Sequence, residues 1–187
     1  MKLRDLLVEA VIVDVRNVIT DHLLENVNDY LSLTLAKLKN KKPEEAFKAG
    51  DPQAVDLDHL ALIVTGLYIL SNPDYRAGIT KQDVGMNPND LKELFNLLDQ
   101  VNKQGKDPIA IQNVFKMLCN LAKPALKKKR AELDILQTGD DAERKHELQE
   151  LEKFTLKVSQ MFNKLKSGRD NWKAAGGKVE LASLGDL

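Results

Sequence analysis

Few side chains in this sequence stand in an arrangement that performs chemistry. His146-Glu147-Leu148-Gln149-Glu150 opens like the HExxH helix of zinc proteases, but Glu150 occupies the place of the second histidine. Two histidines one turn apart give that motif its metal geometry, so a solvated helix surface is expected instead. Asp56 and His59 would share one helix face, where a divalent metal could bind. Asp at a helix start more simply satisfies free backbone N–H groups and the helix dipole, and capping is the expected role. Cys119, the single cysteine, sits among Phe115, Met117, Leu118 and Leu121. A thiolate nucleophile needs an electropositive, accessible pocket, so Cys119 is expected to be a small core residue. His22 is tied to no nucleophile. The sequence contains neither a phosphate-binding Gly-rich loop nor a paired CxxC. No catalytic, cofactor-binding or metal-ligating residue is therefore expected, and the chain reads as a non-enzyme.

What remains is charge. Lys+Arg and Asp+Glu both total 28, so the net charge is zero and no class of partner is favoured by the molecule as a whole. Residues 1–107 hold 13 basic and 17 acidic side chains, and residues 108–187 hold 15 and 11. The densest run, Lys123-Pro124-Ala125-Leu126-Lys127-Lys128-Lys129-Arg130, has no acid within it. Lys123, Lys127, Lys128, Lys129 and Arg130 are the candidate nucleic-acid contacts, through salt-sensitive neutralisation of phosphates. Successive charges on a helix point in several directions, however, and Glu132 and Asp134 follow closely. A solvated helix with internal ion pairs competes with phosphate binding and is favoured over it.

These residues must be positioned by helices. Leu3, Leu6, Leu7, Ala10, Val11 and Val18 recur at helical spacing, with a short strand at Val11-Ile12-Val13-Asp14-Val15 as the competing reading. A second stripe, Leu23, Leu24, Val27, Tyr30, Leu31, Leu35 and Leu38, faces nearly opposite, with a phase break near Thr20-Asp21. Residues 39–56 read as a polar linker with at most one short turn of helix. Asp56 then caps an almost wholly apolar segment running to Leu70, which predicts a central core helix. Its most apolar stretch, residues 60–70, is too short for a membrane span of roughly 20 residues. Asn87-Pro88 and Asp107-Pro108 are helix starts, and Pro124 interrupts the second of these helices. Thr138-Gly139 makes a turn, Asp140 and Glu143 form a capping box, and the last helix runs to about Lys166.

The predicted fold is all-α. A helical bundle domain (1–122) is followed by an antiparallel, coiled-coil-like helical hairpin (123–167) and a flexible tail (168–187). On the last helix, Leu148, Leu151, Thr155, Val158, Phe162 and Leu165 form a seam that Phe154 and Met161 widen. It has more apolar positions than Leu126, Leu133 and Leu136 opposite can cover. The excess must pack on the N-terminal domain or on another chain. The candidate interface is therefore Leu148, Leu151, Phe154, Val158, Met161, Phe162 and Leu165, with a second copy or another protein as partner. Leu181, Leu184 and Leu187 in the tail are candidates for docking into a partner's groove. The Ser-Leu-Gly-Asp-Leu ending resembles sliding-clamp-binding tails, which set apolar residues around a short acidic turn, though it lacks their usual aromatic anchor. The order of helical region, hairpin and tail is similar to small terminase subunits, phage DNA-packaging adaptors that oligomerise through helical hairpins. That resemblance implies a self-associating, non-catalytic assembly protein; a nucleic-acid-binding accessory factor using residues 123–130 is the alternative. With one cysteine and no signal-peptide layout in Met1-Lys2-Leu3-Arg4-Asp5, a cytoplasmic location is expected.

Overall fold

Helix signals and apolar periodicity account for nearly every element in the computed structural model, which describes residues 21–71, 93, 96–97, 108–121 and 123–167. The strand-or-helix alternative at residues 11–15, the helix after Asn87-Pro88 (apart from residues 93, 96 and 97) and the tail with Leu181, Leu184 and Leu187 lie outside these residues. The described helices are α1 (Asp21–Asn40), α2 (Pro43–Ala46), α3 (Leu57–Ser71), α4 (Pro108–Leu121), α5 (Lys123–Thr138) and α6 (Asp141–Ser167). The fold is all-α, with no strand among the described residues. No helix among them is long and apolar enough to cross a membrane.

Helix α3 is the centre. Asp56 starts it by accepting the Asp58 and His59 backbone N–H groups on Oδ1, at 2.9 and 3.0 Å, which satisfies two donors that have no intrahelical partner. Leu60, Ala61, Ile63, Val64 and Leu67 are then all buried, and α4 and α5 both pack on this helix. Gly66 lets α4 approach: a Cβ there would lie 2.2 Å from Phe115 Cδ1. The linker from α1 to α3 is more ordered than its polarity suggests. It contains α2 and a turn at Gly50, whose φ of 78° suits glycine. The Val55 N–H then donates to the Ala46 carbonyl at 2.7 Å.

Pro124 lies in the first turn of α5, where its missing N–H costs nothing; α4 ends at Leu121. The connection from α5 to α6 is Gly139-Asp140. Asp140 Oδ1 accepts the Ala142 and Glu143 N–H groups at 2.9 Å each, and Glu143 Oε2 accepts the Asp140 N–H at 3.1 Å. This is the reciprocal arrangement the sequence predicts. Helix α5 packs on α6.

Leu151, Phe154, Thr155 and Val158 of α6 are covered by the chain itself. Helix α6 packs most extensively on α1. Asn28 and Ser159 are hydrogen-bonded at 2.5 Å, and Lys39 pairs with Glu152, so the two helices run antiparallel. Phe154 reaches through to α3, its ring 5.1 Å from that of Tyr68. Leu151, Phe154 and Val158 are buried in one cluster with Leu24, Leu31, Leu60 and Leu133. Each such side chain contributes about 1.5–3 kcal/mol on burial. The apolar cluster therefore runs continuously across the 122/123 boundary expected between bundle and hairpin.

Candidate functional site

The basic run on α5 divides into committed and uncommitted charges. Lys129 turns inward: its ammonium pairs with Glu132 and lies 5.2 Å from the centre of the Tyr68 ring. Arg130 donates to Asp58 at 2.6 Å and to Asp134 at 3.1 Å. The Asp58 hydrogen bond is the main reason its guanidinium is held more strongly protonated than usual. Lys128 projects into solvent, with Glu132 4.0 Å away. Lys123 and Lys127, one turn apart, are exposed and line a cleft of about 310 Å³ whose wall includes Ala61, Leu62 and Leu126. Of the five bases expected to meet nucleic acid, Lys123, Lys127 and Arg130 line this cleft, and Arg130 is paired there with Asp58.

A larger cleft, about 400 Å³, lies at the opposite end of α5, where α1 ends and α6 begins. Lys39, Lys41, Lys42, Arg144 and Lys145 line it, against a single carboxylate among the described lining residues, Asp141. Two of these bases are already used. Lys39 pairs with Glu152. Arg144 Nε donates to the Leu136 carbonyl at 2.9 Å, satisfying an acceptor in the last turn of α5. Lys41, Lys42 and Lys145 are exposed and form no ion pair among the described residues. Leu38 and Leu136, both buried, and the half-buried Leu148 form the floor. Three ammonium groups around an apolar floor attract anions and leave room for an uncharged group between them.

No protein-family model, curated protein or solved structure matches the chain.

The other candidates fall as follows. Asp56 is committed to capping, and the His59 ring packs edge-on against Tyr30, centroids 4.6 Å apart, with Gln112 Nε2 3.3 Å from its Nδ1. Burial lowers the His59 pKa, opposed in part by Asp56 and aided by Lys116. Cys119 is buried and its thiol lies 3.6 Å from the Leu62 carbonyl; burial pushes its pKa up to about 12, which keeps the sulfur protonated. His146 is exposed, and burial raises the pKa of Glu147. No three His, Cys, Asp or Glu side chains converge as metal ligands among the described residues.

The expected interface meets a physical difficulty. Leu151, Phe154 and Val158 are at most 4 % exposed within the single chain, so in this conformation a second copy cannot reach them. Leu148 and Phe162 are half-buried against the same core, and the side chains of Met161 and Leu165 lie outside the described residues. The larger cleft was not foreseen from the sequence. Its signal was present in Lys39, Lys41 and Lys42, at the end of α1 and just beyond it. Their approach to Lys145, however, depends on α1 packing against α6.

Proposed function

We propose that this chain is a non-catalytic adaptor that holds an anionic partner in the cleft rimmed by Lys41, Lys42 and Lys145. The observation that carries the proposal is the convergence of these three lysines on one concavity, while Lys39, Lys129 and Arg130 are neutralised by carboxylates of this chain. Solvated surface cations cost little to maintain and raise the local concentration of anionic ligands. A lining of ammonium groups over an apolar floor supplies what binding requires.

Retention of the full chain on an immobilised polyanion, such as heparin, tests this. Retention should fall steeply between about 50 and 200 mM salt. It should be largely lost in Lys41→Glu/Lys42→Glu/Lys145→Glu, with the circular dichroism spectrum unchanged. Unretained wild-type protein, or a charge-reversed variant retained like wild type, would overturn the proposal.

The alternative, nucleic-acid binding through residues 123–130, draws support from Lys123 and Lys127, which face an open cleft. It predicts that Lys123→Glu/Lys127→Glu removes retention and that the triple change at the larger cleft leaves it intact. Self-association that used Leu151, Phe154 and Val158 would require α6 to leave α1, because these three are buried in the single chain. Light scattering on the full chain would detect such an assembly.

A further inference from the structure

Resting on the adaptor proposal, we infer that the occupant of the larger cleft is an acidic protein segment with an apolar anchor residue, not a nucleic acid. The lysines surround a floor that a purely ionic ligand would leave uncovered. Leu148 is half-buried there, with Pro43 also on the wall. A leucine or similar side chain set between carboxylates covers the floor and meets Lys41, Lys42 and Lys145 at once. Burial of its apolar surface adds to the ionic attraction. The cleft volume of about 400 Å³ is within the range of pockets that enclose such groups.

Nucleic acid fits the same lining poorly. Single strands are held by a charged groove combined with aromatic platforms on which bases stack, and none of the described residues lining this cleft is aromatic. Asp141 stands in the wall, where it repels a run of phosphates but can be spanned by a peptide whose carboxylates are spaced. Arg144, the lining residue best shaped for bidentate phosphate contact, gives its Nε–H to the Leu136 carbonyl. Lys127, at the smaller cleft, precedes Leu136 on α5 by about 14 Å along the helix axis. A phosphate backbone would have to span that distance to use both clefts, whereas a short peptide needs only one.

Fluorescence anisotropy with the full chain separates these ligands. Three labelled probes are used: a short Glu-rich peptide with one central leucine, the same peptide with serine in its place, and a single-stranded oligonucleotide. The leucine peptide should bind about fivefold or more tighter than the serine peptide, as expected for burying about half of a leucine side chain. Its affinity should fall at least about tenfold in Lys41→Ala/Lys42→Ala/Lys145→Ala and hold in Lys123→Ala/Lys127→Ala. Equal affinity for the two peptides, or tighter binding of the oligonucleotide, overturns the inference; dependence on the cleft lysines in that case leaves the adaptor proposal standing. Failure of all three probes to bind at low salt overturns both.

Discussion

Gly66→Ala puts two well-characterised effects in opposition. In an exposed helix interior, alanine is favoured over glycine by about 1 kcal/mol. At position 66 the new Cβ would lie 2.2 Å from Phe115 Cδ1 and 2.8 Å from Cε1. Carbon atoms pack best at about 3.5–4.0 Å, so the ring must retreat by more than an ångström. It has nowhere to go: Phe115 is fully buried, with Val114 and Leu118 beside it in the same cluster. Overpacking in such a site costs about 1–3 kcal/mol, and a clash with a rigid ring belongs at or above the upper end. Net destabilisation of about 2 kcal/mol follows after the propensity gain, equivalent to about 4–8 °C in Tm for a chain of this size. Urea unfolding followed by far-UV circular dichroism measures it. The double variant Gly66→Ala/Phe115→Leu should be more stable than the sum of the two single changes implies, because the smaller side chain makes room for the methyl group. A Gly66→Ala protein as stable as wild type, or additive single changes, would refute the close approach of α3 and α4.

Three further perturbations act on the same core. Leu151→Ala, at a buried position of the seam, should destabilise the chain by about 2–5 kcal/mol, whereas Leu156→Ala, at a side chain 56 % exposed on the same helix, should leave the urea midpoint nearly unchanged. Thr65 Oγ1 is buried without a hydrogen-bond partner among the described residues, so Thr65→Val should raise stability by about 1 kcal/mol, read from the same unfolding curves; a loss would mean that the hydroxyl has a partner. Burial lowers the His59 pKa, so the unfolded chain takes up a proton at this site before the folded one does. The stabilisation due to neutral His59 is complete above the unfolded pKa of about 6.5 and is lost as pH falls towards the folded value. The urea midpoint should decline over that acidic window, and His59→Gln should flatten the decline; an unchanged slope in that variant counts against a role for the site.

Local signals in the sequence translate well where one short stretch supplies both cause and effect. Asp56 and the Asp140/Glu143 pair announce helix starts because the cap and the donors it satisfies lie within three residues of each other. The nearly continuous apolarity of residues 57–70 identifies a central helix because it leaves no face for solvent. Periodicity specifies which face is buried but not against what. The seam on α6 is visible in sequence, while its cover, α1, is distant in the chain and could be identified only from the contacts of the two helices. The division of the basic run was likewise hidden. Lys128 and Lys129 are adjacent, yet one is solvated and the other lies against Tyr68 on α3, a difference decided by the orientation of α5 on its neighbours.

With α6 folded onto α1, few large apolar side chains are left exposed among the described residues. Leu33, Ile109 and Leu156 are the exposed large hydrophobic residues among those described. Leu33 stands between the buried Leu31 and Thr34 on α1, and Leu156 between the buried Thr155 and Val158 on α6. Each is thus a lone apolar position turned out from a helix whose other face is packed. Single exposed side chains of this kind are ordinary on protein surfaces and do not mark an interface. Charge is different, because much of it is matched locally: Lys39 by Glu152, Lys129 by Glu132, Arg130 by Asp58 and Asp134, and Lys153 by Glu150. Pairs near the surface contribute little to the fold, but they remove the cations involved from competition for a ligand. Lys41, Lys42 and Lys145 form no such pair among the described residues and surround the larger cleft, as Lys123 and Lys127 border the smaller. The first group encloses a half-buried leucine and the second stands beside an apolar wall. On the adaptor proposal, recognition at the larger cleft would combine charge with a modest apolar contact, which would favour an acidic partner with a side chain to bury and make binding sensitive to both salt and that side chain.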